Sequence, residues 1–288
     1  FKKGVGKDRV LATYRSMVRA RNHVAAFIKS FYRRSDMSML ELTPDFIKEF
    51  AAYLSTEAGL RNGSIWANCM WLKGVVMKAH YNGLIPRNPF IQFHISPNVK
   101  EREYLTEDEL KAVMTHEFAD SKLAYIRDIF IFASFTVLSF VDIQELTNDN
   151  IVEVNGEKWI LSKRHKTKVA FQVKLLDIPL QIVERYRPMQ KDNRIFPDLN
   201  YWSICKPLKR MIRECGITKS ISFHCSRHGF ATLALSKGMP IESVSRVLGH
   251  TNIVTTQLYA KITTQKLDND LTMFGDKLSK TFNGITMS

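Results

Sequence analysis

A segment in the last quarter of the chain collects residues that could do chemistry on a phosphodiester. His224 and Arg227 are three residues apart and so share one helical face. The triplet Leu248-Gly249-His250 follows, and Tyr259 comes nine residues after His250. Cutting a phosphodiester without water requires a nucleophile, a cationic clamp on the non-bridging oxygens and an acid for the leaving oxygen. A tyrosine oxygen can attack, an arginine is a bidentate clamp, and histidines can move protons near neutral pH.

Each of these residues also has an ordinary structural interpretation. A single tyrosine or histidine is most often a packed side chain with satisfied hydrogen bonds. His224 and His228, four residues apart, could hold zinc on a helix, but that motif has Glu directly after the first His. Cys225 stands there, and Arg227 would bring a cation close to the metal. The order and spacing of the whole set carry the prediction, and no metal or other cofactor is expected.

Several elements must position these residues, and their patterns predict mostly helix. Asn155-Gly156 lies between two short apolar runs and predicts a β-hairpin, and alternation at Val169, Phe171 and Val173 adds a third strand. Apolar periodicity predicts helices over residues 124–138, 179–186, 202–213, 226–237, 241–248 and 253–262. The fold class is therefore mainly α with a small antiparallel β-sheet, and Tyr259 is expected on a short helix.

The first hundred residues also predict helices, over residues 7–34 and 64–82 and from Thr43-Pro44-Asp45, which has the signature of a helix start. Residues 84–103 contain Pro86, Pro89 and Pro97 and predict a linker. A capping box at Thr106 to Glu109 then begins a new helix. We predict a helical domain over residues 1–100 and a second, α+β domain over residues 101–288.

The charge of the chain points to a polyanionic partner. The 288 residues carry a net charge of +14, and residues 1–100 hold 16 Lys and Arg against 6 Asp and Glu. Lys and Arg displace counterions from phosphates, although solvated basic faces would give the same balance. The four cysteines form no CxxC pattern and indicate reduced thiols in the cytoplasm. No apolar run predicts a membrane helix, and the start lacks a signal peptide and Met, so we expect part of a longer protein.

Together these motifs resemble box II of the tyrosine recombinases, or integrases. The resemblance covers nearly the whole chain, with residues 1–100 similar to the helical core-binding domain and residues 104–288 to the catalytic domain. Tyr104-Leu105-Thr106, Arg127-Asp128-Ile129-Phe130 and Ser139-Phe140-Val141-Asp142 resemble integrases of conjugative and mobilizable elements in Bacteroides-type bacteria. Those integrases usually carry a further N-terminal arm-binding domain, which this sequence does not contain.

The resemblance implies a site-specific recombinase that breaks and rejoins DNA through a 3′-phosphotyrosyl intermediate. Tyr259 would be the nucleophile, with Arg227, His224 and His250 at the phosphate. Lys166 matches the family's lysine in a β-hairpin, the general acid toward the 5′ leaving oxygen, although without the resemblance it would be interpreted as part of a solvated basic turn. The partners implied are double-stranded DNA, three further copies in a homotetramer, and accessory DNA-bending proteins, at the bacterial nucleoid.

One departure from the family pattern concerns its first arginine, which normally follows a Thr-Gly-Leu triplet. Here Thr136-Val137-Leu138 is followed by Ser139, whereas the expected acidic residue is present as Asp142, a structural support. Ser139 supplies only a neutral hydrogen bond to phosphate. We expect Arg164, two residues before Lys166 on one face of a strand, to take over the clamp. The alternative is that Arg164 contacts a flanking phosphate.

Three alternatives for function stay open at this point: a type IB topoisomerase-like enzyme, a catalytically impaired DNA-binding relative, and a purely structural helical protein. Ser139 keeps the second of these open. Beyond the nucleophile, residues 264–288 carry a short apolar set that we expect to dock on a neighbouring protomer. A tail that packs on its own protomer or is disordered is the alternative.

Overall fold

The computed structural model describes residues 11–97, 103–164, 169–190, 192–250, 252–259 and 264–282. For residues 264–266 and 269 it describes the backbone only. The chain forms two compact units, Phe1–Glu101 and Arg102–Ser288. Within the described residues, no helix is both long enough and apolar enough to cross a membrane.

The described part of the first unit contains the α-helices α1 (Leu11–Phe31), α2 (Pro44–Thr56) and α3 (Asn62–Tyr81). Pro44 is the first residue of α2, where its missing N–H costs nothing, and Gly83 follows α3 with φ +71°. The helix α3 packs on both others. Aromatic rings dominate the core between them, with Phe27, Phe46, Phe50 and Phe90 fully buried.

The second unit contains the remaining helices of the described chain. They are α4 (Glu107–Thr115), α5 (Ser121–Thr136), α6 (Phe140–Gln144), α7 (Asp177–Tyr186), α8 (Tyr201–Glu214), α9 (Cys225–Ser236), α10 (Ile241–Leu248), α11 (Val254–Gln257) and α12 (Thr264–Thr281). The helix α5 is mostly apolar and has ten buried residues, and α7, α8 and α9 pack on it. A helix of this kind is buried at the centre of a domain.

The second unit also holds a three-stranded antiparallel sheet of order β1-β2-β3, with β1 (Ile151–Val154), β2 (Glu157–Lys163) and β3 (Ala170–Lys174). Asn155 and Gly156 both have positive φ, at 51° and 75°, as the tight turn of a hairpin requires. Ile160 pairs with Val173, and both are buried on the face of the sheet that joins the core.

The predicted fold class, mainly helical with a small antiparallel sheet, is confirmed. Three details differ from the sequence prediction. Residues 140–144 form the short helix α6, residues 264–281 form α12, and α11 ends at Gln257, so that Tyr259 lies in the turn after a helix rather than on one. A five-residue helix such as α6 has too few turns to show an apolar period.

Candidate active site

The first turn of α9 holds the predicted histidine–arginine pair. His224 is the residue immediately before α9, with helical backbone angles and an exposed side chain, and Arg227 follows in the first turn. The Ser226 hydroxyl donates to the Phe223 carbonyl at 2.7 Å, and the Phe223 ring packs edge-on against Phe140 at 5.3 Å. The start of α9 is therefore anchored in the core while its polar side chains stay outside.

Arg227 lies where the ends of two other helices meet. Its Nη1 donates to the carbonyl of Val137, after α5, at 3.0 Å, and its Nη2 donates to the carbonyl of Leu248, the last residue of α10. Burial and, to a smaller extent, the neighbouring charge of Arg164 lower the pKa of Arg227 to about 10, against the opposing effect of an ionised Tyr259 and Asp142. The guanidinium is therefore still charged at neutral pH.

Arg164 is buried beside Arg227 and shares its acceptors. Its Nη1 donates to Val137 O at 3.2 Å and to Asp142 Oδ2 at 3.0 Å. Its Nη2 donates to the carbonyls of Val247 and Leu248, at 2.9 and 3.5 Å, and the guanidinium lies 4.1 Å from the centre of the Phe171 ring. Burial lowers the pKa of Arg164, and the Asp142 hydrogen bond opposes that shift.

The segment without the family arginine adopts an unusual backbone. Val137 has φ +60° although it is β-branched, and its side chain is fully buried. The Ser139 hydroxyl donates to Asp142 Oδ2 at 2.8 Å and caps α6. Ser139 is thus tied to Asp142, which in turn pairs with Arg164.

His250 is placed by the end of α10. Gly249 has φ +66°, and the His250 N–H donates to the Ser245 carbonyl at 3.0 Å. The His250 Nδ1 lies 2.9 Å from the hydroxyl oxygen of the buried Thr256, which fixes the ring. Burial and, to a smaller extent, the charges of Arg227, Arg164 and His224 together lower the pKa of His250 to about 4. The imidazole is therefore neutral at pH 7.

The ring of Tyr259 is surrounded by other rings. Its centre lies 4.9 Å from that of His228, with the planes at 69°, and 6.4 Å from that of His250, with the planes nearly parallel at 13°. His228 also contacts His224, at 5.0 Å. The Tyr259 ring packs against a small apolar cluster that includes Val137.

The structure thus brings together most of the residues that the sequence singled out. Tyr259, Arg227, His224 and His250 lie within contact or electrostatic reach of one another. Arg164, Asp142 and Ser139 form one hydrogen-bonded chain beside them. Lys166 lies outside the described residues, so its predicted position is not described.

From the sequence, we did not assign two residues of this site to it. His228 was considered only as a zinc ligand, although its spacing of four from His224 places both on one helical face. Thr256, which holds His250, had no sequence signal at all. Within the described ranges, no three His, Cys, Asp or Glu side chains are close enough to hold a metal ion.

The arrangement is suited to an anion that a nucleophile attacks. Arg227 carries a positive charge at neutral pH, and the neighbouring Arg164 forms an ion pair with Asp142. A phosphate at Arg227 would also be within the reach of His224 and His250. Charged donors in a partly buried site stabilise developing negative charge without reorganisation.

Comparison with known proteins identifies a family for both units of the chain. The model of the phage integrase family matches residues 103–266, and that of the phage integrase SAM-like domain matches residues 2–95. The fold resembles that of the Tn1549 transposon integrase solved in complex with circular intermediate DNA, with a TM-score of 0.76 and 17% identity over 92% of this chain and 95% of that one.

Curated relatives agree as well. Tyrosine recombinase XerA of Pyrococcus horikoshii is 32% identical over 177 residues, which cover 57% of this chain and 58% of the relative. Tyrosine recombinase XerC of Lactobacillus leichmannii is 25% identical over 229 residues, 74% of this chain and 77% of the relative. The chain belongs to the phage integrase family of tyrosine recombinases.

Proposed function

We propose that this chain is a site-specific DNA recombinase that breaks and rejoins strands through a 3′-phosphotyrosyl intermediate. The observation that carries the proposal is the meeting of Tyr259 with Arg227 and His250 at the ends of three helices. A nucleophile, a cationic clamp and proton carriers are the groups that phosphodiester cleavage without water requires.

In the proposed reaction the Tyr259 oxygen bonds to phosphorus and the bond from phosphorus to the 5′ oxygen breaks. Arg227 neutralises the non-bridging oxygens, and His224 and His250 donate to them or carry the tyrosine proton. Lys166 protonates the 5′ oxygen as it leaves. The 5′-hydroxyl of a partner strand then attacks the phosphotyrosine and regenerates Tyr259. No cofactor is required, because the phosphotyrosine conserves the energy of the bond.

Arg164 supplies the second positive charge of the site in this proposal. Its four Nη hydrogens are directed at protein acceptors, and its side chain is buried. We therefore propose that the charge of Arg164 acts on the phosphate from a distance, beside Arg227. From the sequence we expected its guanidinium to bind the phosphate directly. Ser139 serves this arrangement by orienting Asp142.

The broader setting is also part of the proposal. The basic unit of residues 1–100 would be the core-binding DNA-binding domain and residues 101–288 the catalytic domain. A homotetramer on double-stranded DNA would carry out strand exchange, with DNA-bending proteins as accessories, on nucleoid DNA in the bacterial cytoplasm. The motifs at Tyr104, Arg127 and Ser139 support an origin in a conjugative or mobilizable element of Bacteroides-type bacteria.

Two assays test the proposal. A nicked suicide substrate, whose cleaved end diffuses away, should trap a covalent protein–DNA adduct that survives SDS. An impaired DNA-binding relative would bind the duplex and form no adduct. Strand exchange between two duplexes then separates a recombinase from a type IB topoisomerase-like enzyme, which would relax supercoiled DNA without exchanging strands.

A further inference from the structure

Among the described residues, two imidazole rings contact the ring of Tyr259, and one of them has no role in the proposed mechanism. His250 faces Tyr259 in a nearly parallel arrangement at 6.4 Å. His228 meets it edge to face at 4.9 Å, the closer of the two contacts. Edge-to-face contacts at this distance are favourable and directional, so they restrict how a ring can turn.

The backbone alone holds Tyr259 weakly. The helix α11 has four residues and ends at Gln257, and the Tyr259 N–H donates to the Thr256 carbonyl at 3.0 Å in the turn that follows. The direction of the Tyr259 side chain must therefore depend on the groups around its ring. His228 comes from α9, one residue after Arg227, so it connects the ring to the helix that bears the clamp.

We propose that His228 is a positioning residue for the Tyr259 nucleophile. The edge-to-face contact of its imidazole holds the phenol ring so that the hydroxyl faces the phosphate bound at Arg227. This inference rests on the proposed function, because it concerns the same cleavage step. A misplacement of about 1 Å can cost about 100-fold in rate, so loss of the ring should be visible in kinetics.

The test compares His228→Ala, His228→Phe and His228→Leu in single-turnover cleavage of a suicide substrate at saturating protein. We expect Ala and Leu to lower the cleavage rate about 10- to 100-fold, and Phe to stay within about threefold of wild type, since it keeps an aromatic edge. Duplex affinity should not change. His116→Ala, a half-buried histidine beside Glu214 in the same unit, is the matched control and should cleave normally.

A second substrate separates positioning from proton transfer. With sulfur in the 5′-bridging position the leaving group is a thiolate, which needs no proton. A defect in nucleophile position persists on this substrate, whereas a defect in leaving-group protonation disappears. Rescue of His228→Ala by the sulfur substrate would therefore overturn the proposal.

The cleavage rates of the three His228 variants also test the proposal. A Phe variant as slow as Ala would show that an imidazole nitrogen, not the ring edge, is required, and would overturn the proposal. Wild-type rates in Ala and Leu would do the same. If thermal melting shows that Ala is unfolded, Leu decides, because it keeps side-chain volume without a ring. A wild-type protein that forms no adduct refutes the proposed function itself, and this inference with it.

Discussion

Arg164 and Arg227 share the carbonyls of Val137 and Leu248, which brings two positive charges close together in a buried place. Like charges in such a site are unfavourable unless anions compensate them. Asp142 forms an ion pair with Arg164 and also acts to raise the pKa of Arg227, so one carboxylate serves two guanidinium groups. A DNA phosphate would complete this balance, so the site is organised for an anion before DNA arrives.

Removing Arg164 should cripple cleavage. Loss of one donor or charge from such a site typically costs about 10²–10³ in rate, so we expect Arg164→Ala to lower cleavage of the bound complex by that amount. It should also lower the free energy of unfolding by about 3–5 kcal/mol, because the buried carboxylate of Asp142 loses its ion pair with Arg164. Pre-bound single-turnover cleavage and chemical denaturation measure the two effects.

A second variant tests whether an arginine at position 139 can replace the charge of Arg164. Ser139→Arg in the Arg164→Ala background should restore part of the cleavage rate, and Lys163→Ala, an exposed neighbouring cation, should leave that rate unchanged. If Arg164→Ala weakens duplex binding alone and the bound complex cleaves normally, the electrostatic role assigned to Arg164 in cleavage is wrong.

His250 should make stability depend on pH. Its pKa of about 4 lies below the ordinary 6.5, so between these values the unfolded chain binds the proton that the folded chain resists. The free energy of unfolding should therefore fall as the pH drops from 6.5 to 4. In His250→Asn this contribution is absent, and the fall should be smaller. Chemical denaturation of both proteins across this pH range measures the direction of the change. Parallel plots of the free energy of unfolding against pH would contradict the lowered pKa of His250.

At the scale of elements, the described side chains of helix α12 include an exposed apolar face. Leu267, Leu271, Phe274 and Leu278 recur at helical spacing on this face, and all four are exposed. An exposed apolar face of this length indicates a docking site. We propose, as the sequence suggested, that it docks on a neighbouring protomer in the assembled complex.

Disrupting that face should separate assembly from binding. We expect Leu271→Ser with Phe274→Ser to lower the formation of multimers on DNA by about tenfold or more while single-duplex affinity changes little. Lys277→Ser, on the same helix, is the matched control. Native gels with one and two sites measure both quantities, and an equal loss in both would favour a tail that packs on its own protomer.

Elements were predictable where their signals are local. The capping box from Thr106 to Glu109 and the Asn155-Gly156 hairpin depend on neighbouring residues, and both occur as predicted. The surroundings of Arg164 were not predictable, because its acceptors lie 22 to 84 residues away along the chain. The same holds for Thr256, whose role depends on how α10 and α11 pack.

At the scale of the whole molecule, the mechanism makes no use of a metal ion. The stabilisation of negative charge and the proton transfers are assigned to Arg227, Arg164, Lys166 and the histidines. No clustered carboxylates are proposed to hold Mg²⁺. Cleavage of the suicide substrate should therefore proceed at the same rate in excess EDTA. A rate that collapses on chelation and returns with added divalent ion would refute this mechanism.

The two units should also contribute differently to DNA binding. The excess of 16 basic over 6 acidic residues in the first hundred predicts that much of the affinity comes from phosphate contacts, which carry no chemistry. Changes at the nucleophile should thus affect bond breakage and leave binding nearly intact.

The most direct measurement is therefore the covalent adduct formed by Tyr259→Phe. The substitution removes the attacking oxygen and keeps the ring that packs beside His228 and His250. On a suicide substrate, the wild-type protein should form an SDS-stable adduct, and the Phe variant should form none while it binds the duplex with nearly unchanged affinity. An SDS-stable adduct in the Phe variant would show that another residue is the nucleophile and would contradict the proposed site.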